Sequence, residues 1–292
     1  MKFRVTHTTQ YRYAESVSLG HNEIHLSPRS VGRQQVLEHR LEIEPEPALM
    51  AEREDFFGNR VAYFALETPH SRLRVTATTE LAIDVEAAQP HALSTAAWDV
   101  IVKRLQEERG EAILDARQYV LESPMVTVIP RLARYAGKSF PPGRPLVKAV
   151  GDLMQRIHLD FAYDPGSTSV ATPLAQVFEQ RRGVCQDFAH LAIACLRSQG
   201  LPARYVSGYI ETLPPPGQEK LVGADASHAW FSVYDPDAGW LDYDPTNNQI
   251  PQTQHITTAW GRDYSDVTPL KGVIFGGGAH TTKVAVDVAR LD

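Results

Sequence analysis

The first part of the chain alternates apolar and polar side chains with a period of two, a pattern that a helix cannot keep on one face. The alternation runs over residues 2–13, 37–43 and 73–85. In the last of these segments, Leu73, Val75 and Ala77 share one face. Because successive side chains of a strand point to opposite sides, the pattern indicates strands with one face in water. Residues 1–90 are therefore predicted to form an antiparallel β domain.

A different periodicity begins after Pro90. Apolar residues recur at helical spacing over residues 98–109, 112–121, 146–158 and 185–198, and strand patterns return over 203–212, 228–234, 240–244 and 282–288. Three prolines and a glycine over 139–145 interrupt the helical part. We therefore predict a helical connecting region over 91–145 and an α+β core over 146–292, in which helices precede an antiparallel sheet.

The charge balance gives no reason to expect nucleic acid or an anionic membrane as a partner. The 292 residues include 29 basic and 35 acidic side chains, a formal net charge of −6. No apolar run approaches the roughly 20 residues of a membrane helix, and residues 1–13 lack the apolar stretch of a signal peptide. We expect a cytoplasmic protein that acts on a soluble substrate.

The two cysteines of the chain differ in their surroundings. Cys185 stands at the predicted start of a helix, where unpaired N–H groups and the helix dipole favour a thiolate. Cys195 lies in the middle of the same helix among apolar residues. The two are about 15 Å apart along the helix axis, too far for a disulfide. Both are predicted to be free thiols, with Cys185 as the candidate nucleophile and Cys195 as a core residue.

A cysteine nucleophile needs a base, and His228 is a better candidate than His190. His190 lies five residues after Cys185, roughly 140° further around the helix, and therefore points away from the thiol. His228 alternates with Ala229 and Phe231 along a strand, so it lies on the face opposite the apolar one. We expect His190 to be a packing residue.

The orienting acid depends on the register of a predicted hairpin. The register in which Tyr234 faces Trp240 makes Asp244 the diagonal neighbour of the base on the same face, about 7 Å away. Asp242 has the same parity but lies nearer the turn and farther from His228. A shift of one residue would place the acid and the base on opposite faces. Together with the helix-start cysteine, this gives the Cys, His, Asp order of a thiol acyl-transfer triad.

Three blocks carry these residues, and they resemble a known family. The blocks are Gly183-Val-Cys-Gln-Asp-Phe-Ala189, Ser227-His-Ala-Trp230 and Gly239-Trp-Leu-Asp-Tyr-Asp-Pro-Thr-Asn247. All three closely resemble the blocks of the transglutaminase-like superfamily. The preceding β region, the strand 203–209 and the segment 255–264 are similar to its bacterial two-domain branch, whose members are often described as cysteine proteases. The resemblance covers nearly the whole chain.

The resemblance implies a papain-like core, in which a helix that begins with a cysteine packs on an antiparallel sheet. At the matching positions, Cys185 is the nucleophile, His228 the general base and acid, and Asp244 the orienting acid. The superfamily transfers acyl groups through a thioester, in transglutamination, peptide or amide hydrolysis, and deamidation. We expect peptides, proteins or peptide-like amides as substrates, and neither a cofactor nor a metal.

Other residues of the site are less constrained by the sequence. The backbone N–H of Cys185 is expected to help hold the oxyanion. Trp230 shares the strand face of the base and is predicted to bind substrate as a wall of the acyl site. Asp187 and Asp225 are either amine-binding or structural residues, and the proline-rich loop at 214–217 is expected at the rim of the cleft.

A second hypothesis is a non-catalytic peptide-binding or assembly module that keeps the same fold. This hypothesis predicts an unreactive Cys185, and it assigns the N-terminal β domain to docking a protein partner. The intact blocks favour the enzyme. The sequence leaves open the natural substrate, the choice between hydrolysis and transamidation, and the oligomeric state.

Overall fold

The computed structural model describes residues 1–87, 90–92, 94, 96–212 and 226–291, so the predicted rim loop at 214–217 and Asp225 lie outside the described residues. The strands of the described part are β1 (Lys2–Ile24), β2 (Gln34–Glu44), β3 (Leu49–Glu54), β4 (Arg60–Leu66), β5 (His70–Ile83), β6 (Ala162–Tyr163), β7 (Arg182–Gly183), β8 (Ala203–Ile210), β9 (Ala226–Asp235), β10 (Gly239–Tyr243), β11 (His255–Gly261), β12 (Leu270–Gly276) and β13 (His280–Arg290). The α-helices are α1 (Trp98–Glu107), α2 (Glu111–Arg117), α3 (Pro130–Gly137), α4 (Leu146–Asp160), α5 (Leu174–Gln180) and α6 (Cys185–Ser198). None of these helices has both the length and the apolar character needed to cross a membrane.

The N-terminal sheet is antiparallel, as the alternation predicts, and is built around one long strand. β1 pairs with β5 and β13 over its first half and with β4 and β12 over its second half. The strand order is β2-β5-β1-β4-β3, with β12 and β13 joined to β1 outside this path. Because β12 and β13 follow the core in sequence, both ends of the chain build this sheet. The predicted division of the chain at residues 90 and 145 stays a prediction.

The second sheet is antiparallel and has the order β10-β9-β8-β11. α6 covers one of its faces, where Phe188, Ala192 and Cys195 belong to the same buried cluster as Ala229 and Phe231. The fold is therefore α+β, with a helix that begins with a cysteine packed on an antiparallel sheet, as predicted.

Two elements near this sheet do not follow from periodicity. α3 begins at Pro130, which the first helical turn tolerates because its missing N–H has no partner there. β11 contains a bulge between Thr257 and Ala259, so its side chains do not alternate cleanly.

The N-terminal sheet covers the other face of the core sheet. Phe3 and Val5 of β1 form a buried cluster with Tyr209 of β8 and Ile256 of β11. The core sheet is thus enclosed between α6 and the N-terminal sheet.

Two side-chain amides of the N-terminal domain also close the outer edge of β11. The Gln34 amide accepts from the backbone N–H of Thr257 at 2.9 Å and donates to its carbonyl at 2.8 Å. The Asn59 amide does the same for Trp260, at 3.0 and 2.8 Å. These bonds occupy backbone groups that an edge strand otherwise leaves unpaired.

His7 is buried at the contact between the two sheets, and we expect it to make the stability of the protein depend on pH. Its ring lies 3.0 Å from the hydroxyl of Tyr209 and 3.1 Å from that of Thr9, and burial lowers its pKa from 6.5 to about 4. Below about pH 6.5 the unfolded chain binds a proton at this histidine while the folded chain does not, so stability falls as the pH drops. Between pH 7 and about pH 5 we expect His7 to account for a loss of about 2 kcal/mol in the free energy of unfolding, measured by urea denaturation.

A His7→Gln variant is expected to lose this part of the pH dependence. The matched variant His280→Gln, at an exposed position, is expected to keep it. If wild type and His7→Gln lose the same stability on acidification, His7 does not carry the effect.

Candidate active site

Cys185 is the first residue of α6, and hydrogen bonds to the side chain of Asp187 stabilise the turn in which it lies. The Asp187 carboxylate accepts hydrogen bonds from the Val184 backbone N–H at 2.8 Å and from the Thr168 hydroxyl at 2.7 Å. Gly183 packs against the same carboxylate, and a Cβ at this position would lie 2.7 Å from it. The sequence leaves Asp187 as either an amine-binding or a structural residue, and these contacts favour the structural role. Cys185 is partly exposed, and both cysteines are free thiols, as predicted.

His228 lies on β9 between the cysteine and the acid. Its side chain is on the face of the sheet away from α6 and is only 7% exposed. Nε2 lies 2.8 Å from Oδ2 of Asp244, and Cys185 lies close enough to His228 to raise the pKa of the imidazole. Since the carboxylate holds Nε2, Nδ1 is the nitrogen left for the thiol.

Asp244 follows β10 in the register that the sequence predicts. Tyr234 pairs with Trp240, which leaves Asp244 on the histidine side of the hairpin. Asp242, one step nearer the turn, instead accepts a hydrogen bond from the hydroxyl of Ser232. The structure therefore brings Asp244, and not Asp242, to His228.

The Asp244 carboxylate is fully buried and accepts five hydrogen bonds. Oδ1 accepts from the backbone N–H groups of Thr246 at 3.0 Å and Asn247 at 3.2 Å. Oδ2 accepts from the Asn247 side-chain amide at 2.7 Å, from His228 at 2.8 Å and from His255 at 3.0 Å. Because an ionised carboxylate only accepts, both histidines must present an N–H to it.

These contacts shift the pKa values of the acid and the base in opposite directions. Burial alone would lower the pKa of His228, but hydrogen bonds to Asp244 and Cys185 raise it well above its ordinary value. Burial alone would raise the pKa of Asp244, but hydrogen bonds from His228 and His255 hold it well below its usual range. At neutral pH, His228 is therefore a cation that lies between the Asp244 carboxylate and Cys185.

His255 is a fourth member of the network, and it is not among the site residues predicted from the sequence. It begins β11, and it meets Asp244 from the far side of β8. Gly208 of β8 pairs with His228, and a Cβ at Gly208 would lie 2.1 Å from the carbonyl oxygen of Ile256. Glycine thus lets β8 and β11 approach closely, and the two histidine rings lie 5.8 Å apart. A local pattern does not reveal His255, because its place depends on the pairing of β11 with β8.

The structure buries two other residues that the sequence singles out. Trp230 is fully buried, with its ring 6.1 Å from that of His228 and 5.2 Å from that of His255. It lies on the face toward the N-terminal sheet, and its contact with substrate stays a prediction. His190 accepts a hydrogen bond from the backbone N–H of Tyr264 at 3.2 Å, and burial lowers its pKa to about 4, as expected of a packing residue.

One group of side chains in the described ranges has the donors for a metal ion. His228, Asp244 and His255 offer ligand atoms that lie within 4.8 Å of one another. Hydrogen bonds from both imidazoles to one carboxylate oxygen already join these atoms. An ion at this place would displace both protons and remove the base, so the geometry favours the hydrogen-bonded network.

Comparisons with known proteins find matches to both halves of the chain. Family models match at residues 3–82, for the bacterial transglutaminase-like N-terminal region, and at 135–245, for the transglutaminase-like superfamily. An uncharacterized protein of Mycobacterium tuberculosis is 41% identical over 296 residues, covering 100% of this chain and 93% of that protein. A protein-glutamine gamma-glutamyltransferase of Pseudomonas aeruginosa is 37% identical over 107 residues, covering 35% of this chain and 16% of that protein.

A solved structure has the same fold over the full chain. This structure, of a candidate cysteine protease from Cytophaga hutchinsonii, matches with a TM-score of 0.78 at 22% identity, covering 100% of this chain and 91% of that one. The likeness shows the fold, and the family models and the full-length relative show the family. The chain belongs to the transglutaminase-like superfamily, with the N-terminal region of its bacterial members.

Proposed function

We propose that the protein is a thiol-dependent hydrolase or acyltransferase of amide bonds, in which Cys185, His228 and Asp244 form a catalytic triad. The observation that carries the proposal is the position of the His228 imidazole, which is held by the Asp244 carboxylate at 2.8 Å and lies close enough to Cys185 for that thiol to raise its pKa. Membership of the superfamily supports an enzyme of this class. The proposed substrates are amide groups of peptides, proteins or peptide-like molecules.

In the first half-reaction the enzyme forms a thioester. The Cys185 thiolate attacks the amide carbonyl carbon, and the backbone N–H at the start of α6 stabilises the oxyanion. His228 then gives its Nδ1 proton to the leaving nitrogen, the C–N bond breaks, and ammonia or an amine departs. Asp244 holds the Nε2–H of His228, which fixes the tautomer and stabilises the imidazolium.

In the second half-reaction the thioester is resolved. Neutral His228 takes a proton from water or from a primary amine as that molecule attacks the thioester carbonyl. The C–S bond breaks, an acid or a new amide is released, and the thiolate–imidazolium pair is restored. Hydrolysis, deamidation and transamidation differ only in the leaving group and the attacking group.

The proposal has a competitor with the same fold, a non-catalytic peptide-binding or assembly module. The partial exposure of Cys185 and its position beside the buried His228 cation favour the enzyme. We further propose that the protein is cytoplasmic and that the N-terminal β domain binds a protein partner. The proposal includes no cofactor, and neither nucleic acid nor a membrane is a proposed partner.

Alkylation of the two cysteines separates the enzyme from the binding module. We expect iodoacetamide to label Cys185 rapidly even near pH 6, where an ordinary thiol with a pKa of about 8.5 is mostly protonated. Cys195 is expected to stay unlabelled in the folded protein, because it is fully buried and burial raises its pKa to about 12. Peptide mass spectrometry measures both rates as a function of pH.

His228→Ala is expected to slow the labelling of Cys185 by about tenfold or more near pH 6. The matched variant His21→Ala, at an exposed site in the N-terminal sheet, is expected to label like wild type. Labelling that is slow at this pH and indifferent to His228 would instead favour the binding module.

His255 is proposed as a positioning residue that acts through Asp244. His255→Leu removes one donor from the buried carboxylate, so the pKa of Asp244 is expected to rise. The labelling of Cys185 is then expected to decline at a higher pH than in wild type. At neutral pH, the rate of labelling is expected to be about tenfold lower. His255→Gln, which can restore an N–H donor, is expected to recover part of the rate.

Asp237→Asn serves as the control for this prediction, because Asp237 lies on the surface of the same hairpin and pairs with Arg104. It is expected to change neither the rate nor the pH profile. An unshifted pH profile in folded His255→Leu would show that His255 has no influence on the triad.

The reaction itself is tested with a panel of glutamine-containing peptides, with and without a fluorescent primary amine. We expect ammonia release that Cys185→Ala lowers by about 10³-fold or more. Mass spectrometry of the products then distinguishes the acid from the new amide. Ammonia release that persists in Cys185→Ala would exclude the thioester mechanism.

A further inference from the structure

A cavity of about 560 Å³ lies between the N-terminal sheet and the core sheet. It adjoins the face of the core sheet away from α6, and its volume falls in the range of about 300–1,000 Å³ typical of small-molecule sites. The residues of its wall that matter here are Arg33, Arg204, Trp230, Trp240, Asp242 and Trp260. Cys185, His228 and Asp244 do not line it, and His255 does, so the cavity adjoins the thiol site without including the thiol.

Arg204 is the residue of this wall with the most unusual surroundings. Its side chain on β8 is buried, and its guanidinium lies 4.3 Å from the ring of Trp240 and 3.8 Å from that of Trp260. Burial lowers its pKa only to about 10, so it is charged at neutral pH. Its one side-chain hydrogen bond within the described ranges runs from Nε to the Ser232 hydroxyl at 3.4 Å.

The terminal amino groups of Arg204 therefore keep their donors for another molecule. No carboxylate of the described residues lies within ion-pair distance of Arg204, although buried charges in proteins are ordinarily paired. A planar guanidinium presents two parallel N–H groups, which match the two oxygens of a carboxylate. The stacked indoles hold the guanidinium in one orientation, so little freedom is lost on binding.

The charges around the cavity favour a single negative charge on the ligand. Two guanidinium groups, of Arg33 and Arg204, face one carboxylate, of Asp242. The histidines of the wall are His91 and His255, and burial lowers the pKa of both below 6.5, so they add no charge at neutral pH. A monoanion would leave the wall and its ligand neutral.

The remaining side chains of the cavity wall are suited to contact an apolar part of a ligand. Trp230, Trp240 and Trp260 supply three indoles, and Val206 and Ile83 add aliphatic surface. The Nε1–H of Trp230 has no acceptor among the residues that the structure describes. We propose that this cavity binds a small organic monocarboxylate, with its carboxylate on Arg204 and Arg33 and its apolar part against the indoles.

Intrinsic fluorescence tests the proposal, because three of the four tryptophans line the cavity. Phenylacetate and hexanoate are titrated into the full chain, with phenylacetamide and hexanol as uncharged matches, and calorimetry measures the stoichiometry. We expect a saturable change with a dissociation constant of about 1 mM or tighter for at least one carboxylate, and none for its uncharged match over the same range.

Matched variants locate the site. Arg204→Gln is expected to weaken carboxylate binding by about tenfold or more. Arg33→Gln, outside the tryptophan stack, is expected to weaken it as well and provides the test if the first variant does not fold. Arg72→Gln, at an exposed position on β5, is expected to bind like wild type.

Three outcomes would overturn the proposal: no saturable change with either carboxylate, equal affinity for the uncharged matches, or wild-type binding in the folded arginine variants. Tighter binding of inorganic phosphate than of phenylacetate would also reject the monocarboxylate. The readout is binding and not turnover, so the result does not depend on the proposed activity of Cys185.

Discussion

The buried charge of Asp244 is the interaction on which the arrangement of the site depends. A fully buried carboxylate is destabilising unless donors surround it, and here the donors come from the turn after β10, from β9 and from β11. β8 separates β9 from β11, so His228 and His255 meet at this carboxylate only when all four strands of the core sheet are in place. His228 is therefore oriented by the complete sheet and not by one hairpin.

The N-terminal domain takes part in this arrangement through β11. Gln34 and Asn59 pair with the backbone of Thr257 and Trp260, on the strand that His255 begins. These amides satisfy backbone groups beside the bulge, where regular pairing fails. Loss of these contacts would leave the outer edge of β11 unpaired, and β11 is the strand that positions His255 at Asp244. The domain that carries no member of the proposed triad thus supports its geometry.

The sequence predicts those parts of the site that local patterns determine. A helix start places Cys185, strand alternation places His228, and the register of one hairpin places Asp244. His255 escapes this reasoning because a bulge and a pairing with β8 determine its position. The same holds for β12 and β13, whose alternation indicates strands without showing that they pair with β1, more than 200 residues earlier. Non-local pairing has no signature within a short window.

One residue, His255, connects the thiol site with the cavity between the sheets. His255 donates to Asp244 on one side and lines the cavity on the other, next to Trp230. A ligand in the cavity can change the triad only if its affinity differs between two arrangements of His255. Such a ligand would raise the population of the His255 arrangement that it binds more tightly. By linkage, a ligand bound at the thiol would change the affinity of the cavity for its own ligand by the same factor by which the cavity ligand changes the affinity at the thiol. The burial of His255 limits such arrangements to small displacements, because the packed sheet leaves the ring little room to move.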